Sequence, residues 1–390
     1  MIKTITKLKD KIIYKDSNYY ASFPSIVALE NELFIVFRRA RDSRSLLLPI
    51  DSDNDDEKED YDRLQQQVAH IDSRSQLVSI RFDQKLNQVS ELKQLSSDAD
   101  AADQDASLLL LSNQHILLSS FAWYPIATHF VKHLRKAGVS VAGSPEGSGC
   151  HFIWWGGFTR KSTDQGKHWT KHNYLPALPT IKDIIPNKRH STGGSTRGQA
   201  IEVNSELLLA VYRYDETFKT DTCHCYVSHD IGQNWIYRST IAADHKQTIY
   251  FQEPSLIECN NGNIMAFMRT ANAGDHLYTC TSSDNGKSWS KPICRDEIIG
   301  HPTHPLKLQD GSIFLSYGYR HEPYGIRARI MDGNGENFIS DEIILRDDGL
   351  NWDVGYPWAV QLNNGHVLVV YYFCTEDSIR HIASTEVEIS

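Results

Sequence analysis

Ser162-Thr163-Asp164-Gln165-Gly166-Lys167-His168-Trp169, Ser228-His229-Asp230-Ile231-Gly232-Gln233-Asn234-Trp235 and Ser282-Ser283-Asp284-Asn285-Gly286-Lys287-Ser288-Trp289 share one pattern, Ser-x-Asp-x-Gly-x-x-Trp. A motif that returns in register marks a repeat protein. Its parts read mechanically: Asp accepts backbone N–H groups across a tight turn, Gly supplies a positive φ, and Trp packs beneath as an anchor. Asp beside Gly also suggests a calcium loop, but the further oxygen ligands and the distal Glu of such a loop are missing. The motif is therefore expected to clamp hairpins, not to catalyse.

A second repeat counts the units. Segments of apolar run, polar turn and apolar run start at Phe23, Asp105, Arg197, Glu253, Pro302 and Tyr356, and each leads into a further apolar strand such as Leu33-Phe34-Ile35-Val36-Phe37. Short strands joined by Asn-Gly or Asp-Gly turns are hairpins. Six of them, roughly 50 to 90 residues apart with clamps between, fit radially repeated four-stranded blades. The expected fold is all-β, a six-bladed β-propeller forming one domain over residues 1–390, with insertions at about 43–67 and 123–155. The first insertion carries an acidic run, Asp51 to Asp60, read as a solvated loop. The second contains Phe130–Lys136, read as a short helix, and loops of this length suit lids or binding loops.

Composition bounds the function. The net charge of −9 disfavours nucleic acid or an anionic membrane as partner, and no apolar run is long enough to span a bilayer. Seven cysteines without a paired framework fit a reducing compartment, and the N-terminal stretch has no apolar signal core, so a cytoplasmic location is expected. Cys223-His224-Cys225 has the wrong spacing for zinc, and alternation puts both cysteines on one strand face, a packing role. No cofactor or metal is expected.

Equivalent positions of a propeller sit at equivalent depths, so the six first residues belong near the axis. Sixteen residues on, across each hairpin, stand Arg39, Phe121, Arg213, Arg269, Gly318 and Tyr372. Three arginines returning to one mouth, beside Asp105, Arg197, Glu253 and Tyr356, give either an ion-paired plug or an electropositive pocket for a carboxylated sugar. His304 and His301 lie at the same level on the fifth unit, and Trp123, Tyr124, Trp154 and Trp155 flank the second insertion as sugar-stacking or core aromatics.

With these motifs, the runs Gln252-Glu253-Pro254-Ser255-Leu256 to Met268-Arg269 and Asp353-Val354-Gly355-Tyr356-Pro357 to Tyr371-Tyr372, the chain resembles the sialidase superfamily of Asp-box propellers over nearly its whole length. The resemblance implies Tyr356 as nucleophile, Glu253 as its base and Arg269 as the middle carboxylate-binding arginine. It implies Arg327 as the last arginine of that triad, with Arg320 as second choice. Ser22 occupies the place of the first arginine, which leaves the triad incomplete; Arg38, Arg39 or Arg41 are the substitutes available from the next strand, starting from a different place, and Arg39 or Arg213 would help Arg269 and Arg327 bind the carboxylate. The proton donor falls in Ala69 to Ser75, as His70 or Asp72. Two other readings stay open: a lyase acting on uronate oligosaccharides through His70 and a tyrosine, and a non-catalytic propeller that binds acidic glycans.

Overall fold

The computed structural model describes residues 2–42, 53–58, 72, 75–142, 151–179 and 192–390. Six antiparallel sheets form a ring, a six-bladed β-propeller. Blade I consists of Tyr19–Ala28, Glu32–Arg41, Gln76–Asp83 and Lys93–Gln94, and blade II has Ala102–Asp103 with Ser107–Leu110 innermost, then Ile116–Ile126, His151–Ser162 and Asn173–Tyr174. Blade III is Ile201–Val203, Glu206–Asp215, Thr220–Ser228 and Ile236–Ala242; blade IV is Tyr250–Glu258, Ile264–Ala271, His276–Ser282 and Ile293–Ile299. Blade V runs Thr303–Lys307, Ile313–Tyr319, Gly325–Met331 and Ile343–Arg346. Blade VI takes Gly355–Gln361, Val367–Phe373 and His381–Ile389, and the N-terminal strand Ile5–Tyr14 completes it from outside by pairing with His381–Ile389. The ring is thus closed by the pairing of Ile5–Tyr14 with His381–Ile389.

The apolar faces explain the ring. Six buried clusters each lie between two neighbouring blades; one joins Phe23, Ile35 and Val78 of blade I to Tyr356, Trp358 and Tyr372 of blade VI. A strand buried on both faces against neighbours reads as a continuous apolar run, which is why Phe34 to Phe37 and Val367 to Val370 lack polar alternation.

The three clamps behave alike. Ser162, Ser228 and Ser282 each accept the N–H of the motif glycine at 2.7 to 2.8 Å, and Asp164, Asp230 and Asp284 accept backbone N–H groups at 2.7 to 3.1 Å. Gly166, Gly232 and Gly286 stand at φ between +76° and +85°. Each tryptophan reaches the preceding blade: Trp235 Nε1 donates to Thr159, Trp289 Nε1 to Ser239, and Trp169 stacks on Phe34. Asp83 and Asp332 build similar N–H-accepting turns in blades I and V without the tryptophan.

In the second insertion the helix spans Thr128–Lys136, two residues longer at its start than expected. Most of residues 43–67, and His70 with them, lie outside the described residues. Cys223 and Cys225 pack in the cluster between blades III and IV. Among the described residues no helix is long and apolar enough to cross a membrane.

Candidate active site at the axial mouth

Three X-Pro steps aim the central side chains. Phe23-Pro24, Glu253-Pro254 and Tyr356-Pro357 are the extra residues of β-bulges, where two inner-strand residues face one on the next strand. Phe23, Glu253 and Tyr356 take φ of +52°, +45° and +51°, unusual for bulky side chains and costing on the order of 1–3 kcal/mol each. Proline lacks an N–H, so the bulge leaves no ladder donor unmet there. Strain repeated at equivalent places is what turns these residues off the sheet and towards the axis.

There Tyr356 and Glu253 meet. The Tyr356 hydroxyl donates to Glu253 Oε1 at 2.5 Å, and Arg269 Nη1 donates to Glu253 Oε2 at 3.1 Å and to the Tyr356 oxygen at 3.3 Å. Tyr356 and Glu253 are only 4% and 5% exposed. Burial pushes the Glu253 carboxyl up, but Arg269, the Tyr356 hydroxyl, His301 and Arg320 outweigh it and leave the group below its ordinary value. Burial and then the Glu253 charge push the Tyr356 phenol up, against Arg269 and Arg320. The resting pair is a neutral phenol bonded to a carboxylate.

Around this pair the arginines sort themselves. Arg320 lies 5.2 Å from the Tyr356 ring centre, donates to the Tyr372 hydroxyl at 3.0 Å and to the Val354 carbonyl at 3.1 Å. Arg327 is elsewhere: its Nη1 donates to the carbonyls of Arg346 and Ile326, and its guanidinium covers Tyr319. Of these two arginines it is thus Arg320, the second choice of the sequence reading, that the structure brings beside the pair, and Arg327 serves the sheet. Arg197 covers the Tyr356 and Trp358 rings at 4.7 and 5.3 Å and stands 3.9 Å from Asp105. Burial raises the Asp105 carboxyl, Arg197 opposes this and Glu253 adds to it, bringing it up to about 7.

Arg39 and Arg213 are displaced from the mouth by a register slip. Blades II, IV, V and VI turn through three residues, as from Cys259 to Asn263, whereas blades I and III use two, Glu30-Asn31 and Asn204-Ser205. One residue fewer shifts every cross-strand partner by one and reverses its face. Arg38, opposite Ser22, therefore takes the equivalent of Arg269; it is 0% exposed and lies against the Tyr20 and Phe23 rings. Arg39 covers Tyr19 and donates to Tyr14. In blade III the slip brings in Tyr212, whose phenol is raised chiefly by burial and then by Glu253, Tyr356 and Asp105, while Arg213 covers Trp154.

Asp72 faces Arg38 closely enough to be among the charges that raise it against the effect of burial. His304 stacks on Trp358 at 4.3 Å, and burial followed by Arg197 brings its imidazole down to about 3. Trp154 and Trp155 are core residues, with Trp154 Nε1 donating to Gly193 and Trp155 stacked on Tyr124. The sequence reading missed the support behind Arg320: Asp353 accepts from Tyr20 at 3.0 Å, Tyr372 at 2.9 Å and Arg380 Nε at 3.2 Å. A buried carboxylate in the Asp353-to-Tyr356 stretch was its available signal. An ionised acid, a phenol and a cluster of arginines in a desolvated mouth can hold an anion and activate an oxygen nucleophile.

Comparison with known proteins agrees with this architecture. Residues 136–369 match the model of a BNR repeat-like domain. The chain is 32% identical to a protein of unknown function from Dyadobacter fermentans DSM 18053 known from a crystal structure, over 99% of each chain, with a TM-score of 0.85. It shares the fold of the NanB sialidase of Streptococcus pneumoniae, at 14% identity over 97% of this chain and 70% of that one, TM-score 0.61. The Trypanosoma rangeli sialidase in complex with sialic acid aligns at 12% identity over 98% and 58%, TM-score 0.58. The sequence matches no curated protein.

Proposed function

The chain belongs to the family of BNR repeat-like domains as a sialidase-like Asp-box propeller, and from that premise we propose that it is an exo-acting glycoside hydrolase that releases a terminal acidic sugar, a sialic acid or a related ulosonic acid, with retention. The 2.5 Å bond from the Tyr356 phenol to a Glu253 held ionised by Arg269 carries the reading. An acidic sugar with its carboxylate on the anomeric carbon repels a carboxylate nucleophile. A neutral phenol meets no such repulsion, and Glu253 takes its proton as the new bond to the anomeric carbon forms. Arg269 then loses the Glu253 charge but keeps the substrate carboxylate, which balances it. Arg320 and Arg38 complete the clamp, Arg38 standing in for the arginine that Ser22 replaces, and the carboxylate they hold in place faces the positive charge that develops on the ring carbon. Asp72, beside Arg38, is the described candidate to protonate the leaving oxygen; His70 lies outside the described residues.

The test is turnover on aryl glycosides of several ulosonic and uronic acids. Release of the free acidic sugar with retained configuration is the expected result. An unsaturated, ultraviolet-absorbing product would assign lyase chemistry instead, and binding without turnover a glycan-binding role.

A further inference from the structure

Blade V departs from the other blades at the mouth. Where blades I, III, IV and VI place Arg38, Tyr212, Arg269 and Tyr372 on the second strand, blade V has Gly318, whose absent Cβ would lie 2.8 Å from the His301 carbonyl and 3.0 Å from Gly355 Cα. His301, bonded through its N–H to Gly318, is thus the side chain blade V offers at that level. It is 5% exposed. Its Nε2 stands 3.4 Å from Asp275 Oδ1, and the other Asp275 oxygen is 3.1 Å from His321 Nε2. Its Nδ1 is buried and meets no hydrogen-bond partner among the described residues. The charged groups acting on it are Asp275 from the rim, Arg269 and Glu253 from blade IV, and Arg320 from the loop after blade V's second strand, while the His321 ring shares Asp275 with it.

We propose that His301 is a further substrate contact of this site: as an imidazolium it donates from Nδ1 to the carboxylate of the acidic sugar while Asp275 holds Nε2. The inference rests on the acidic-sugar reading above. The tautomer supplies its logic. A carboxylate at Nε2 makes that nitrogen the donor, so in the neutral ring Nδ1 carries a lone pair, which repels an anion. Only a second proton makes Nδ1 a donor. Burial holds the imidazole below its ordinary value, and Arg269 and Arg320 act in the same direction against the Asp275 bond. A bound carboxylate offsets both arginines, so the ring gains its proton as the sugar arrives. A hydroxyl at the same place donates to Nδ1 and brings no proton.

Calorimetric titration with N-acetylneuraminic acid, 3-deoxy-manno-octulosonic acid and glucuronic acid, in buffers of different protonation enthalpy at neutral pH, reads this directly. Expected is uptake of about one proton per bound sugar and affinity that falls as pH rises. His301→Gln should abolish the uptake and weaken binding about ten-fold, and Asp275→Asn should reduce the uptake with the ring still present. Binding without proton uptake, or uptake that survives in His301→Gln, overturns the inference and leaves the acidic-sugar reading standing. If none of the three sugars binds, the reading itself falls and the inference with it.

Discussion

The outer ends of blades II to IV and the axial mouth are built by opposite rules. At the outer ends one turn is used three times, its serine–glycine contact agreeing within 0.1 Å and its tryptophan meeting the preceding blade by an Nε1 bond in two turns and by ring stacking in the third. At the mouth no two blades present the same combination of groups: Arg38 and Phe23, Asp105, Arg197 and Tyr212, Glu253 and Arg269, His301, Tyr356 and Tyr372. The clamps satisfy backbone groups locally and wedge a tryptophan against the preceding blade, so each is complete by itself. The mouth groups are complete only together, since Glu253 and Arg269 come from blade IV and Tyr356 from blade VI, 103 residues from Glu253. Repetition therefore marks what holds the ring, and departure from repetition marks what acts.

Substitutions at the two places should separate cleanly. Tyr356→Phe is expected to lower turnover by about a thousand-fold or more while the melting temperature stays close to the parent's, because it deletes the nucleophile and one hydroxyl; steady-state rates with a thermal scan check both. Trp235→Ala should do the reverse, costing about 3 kcal/mol in denaturant unfolding through an emptied wedge between blades II and III, with KM unchanged. A Trp235 variant that loses activity in its folded state would break the contrast.

A finer cut compares neighbours on one strand. Arg38→Ala should raise KM and lower kcat for an acidic substrate, together about ten- to a hundred-fold, whereas Arg39→Ala should change either only slightly. The opposite ranking would mean that the register slip does not set the mouth. The smallest effect belongs to a clamp aspartate. Burial pushes Asp230 up, but the Asn234 backbone and side chain, Ser228 and Gln233 bring it down to about 2. A carboxyl lowered in the folded state stabilises above its unfolded value and loses that stability as pH falls through about 2. Asp230→Ala should thus cost about 1 kcal/mol at neutral pH, and its gap from the parent in urea titrations should close on acidification.

These comparisons also show where sequence suffices. The serine and aspartate bonds of the clamps are short-range, each partner lying within four residues, so the three motifs mark the propeller repeat by themselves and the six hairpin segments count its blades. Glu253, Arg269 and Tyr356 were also visible, because blades IV and VI share turn length and the repeat aligns them correctly. Arg39 and Arg213 were placed at the mouth by a gapless alignment that ignores the two-residue turns at Glu30-Asn31 and Asn204-Ser205. A slip of one residue is cheap in sequence and reverses a side chain in space. The resemblance points to Arg327 ahead of Arg320, and the Asp353 network that holds Tyr372 against Arg320 involves Tyr20 and Arg380, which no local pattern connects.

The central claim is that Tyr356 attacks the anomeric carbon with Glu253 as its base, and trapping tests it most directly. A 2,3-difluoro ulosonic acid donor slows breakdown of a glycosyl-enzyme more than its formation. After incubation, peptide mass mapping should find the sugar on the Tyr356 peptide, with no adduct in Tyr356→Phe. A sugar found on another residue, or turnover of the donor with Tyr356 never modified, would contradict the account.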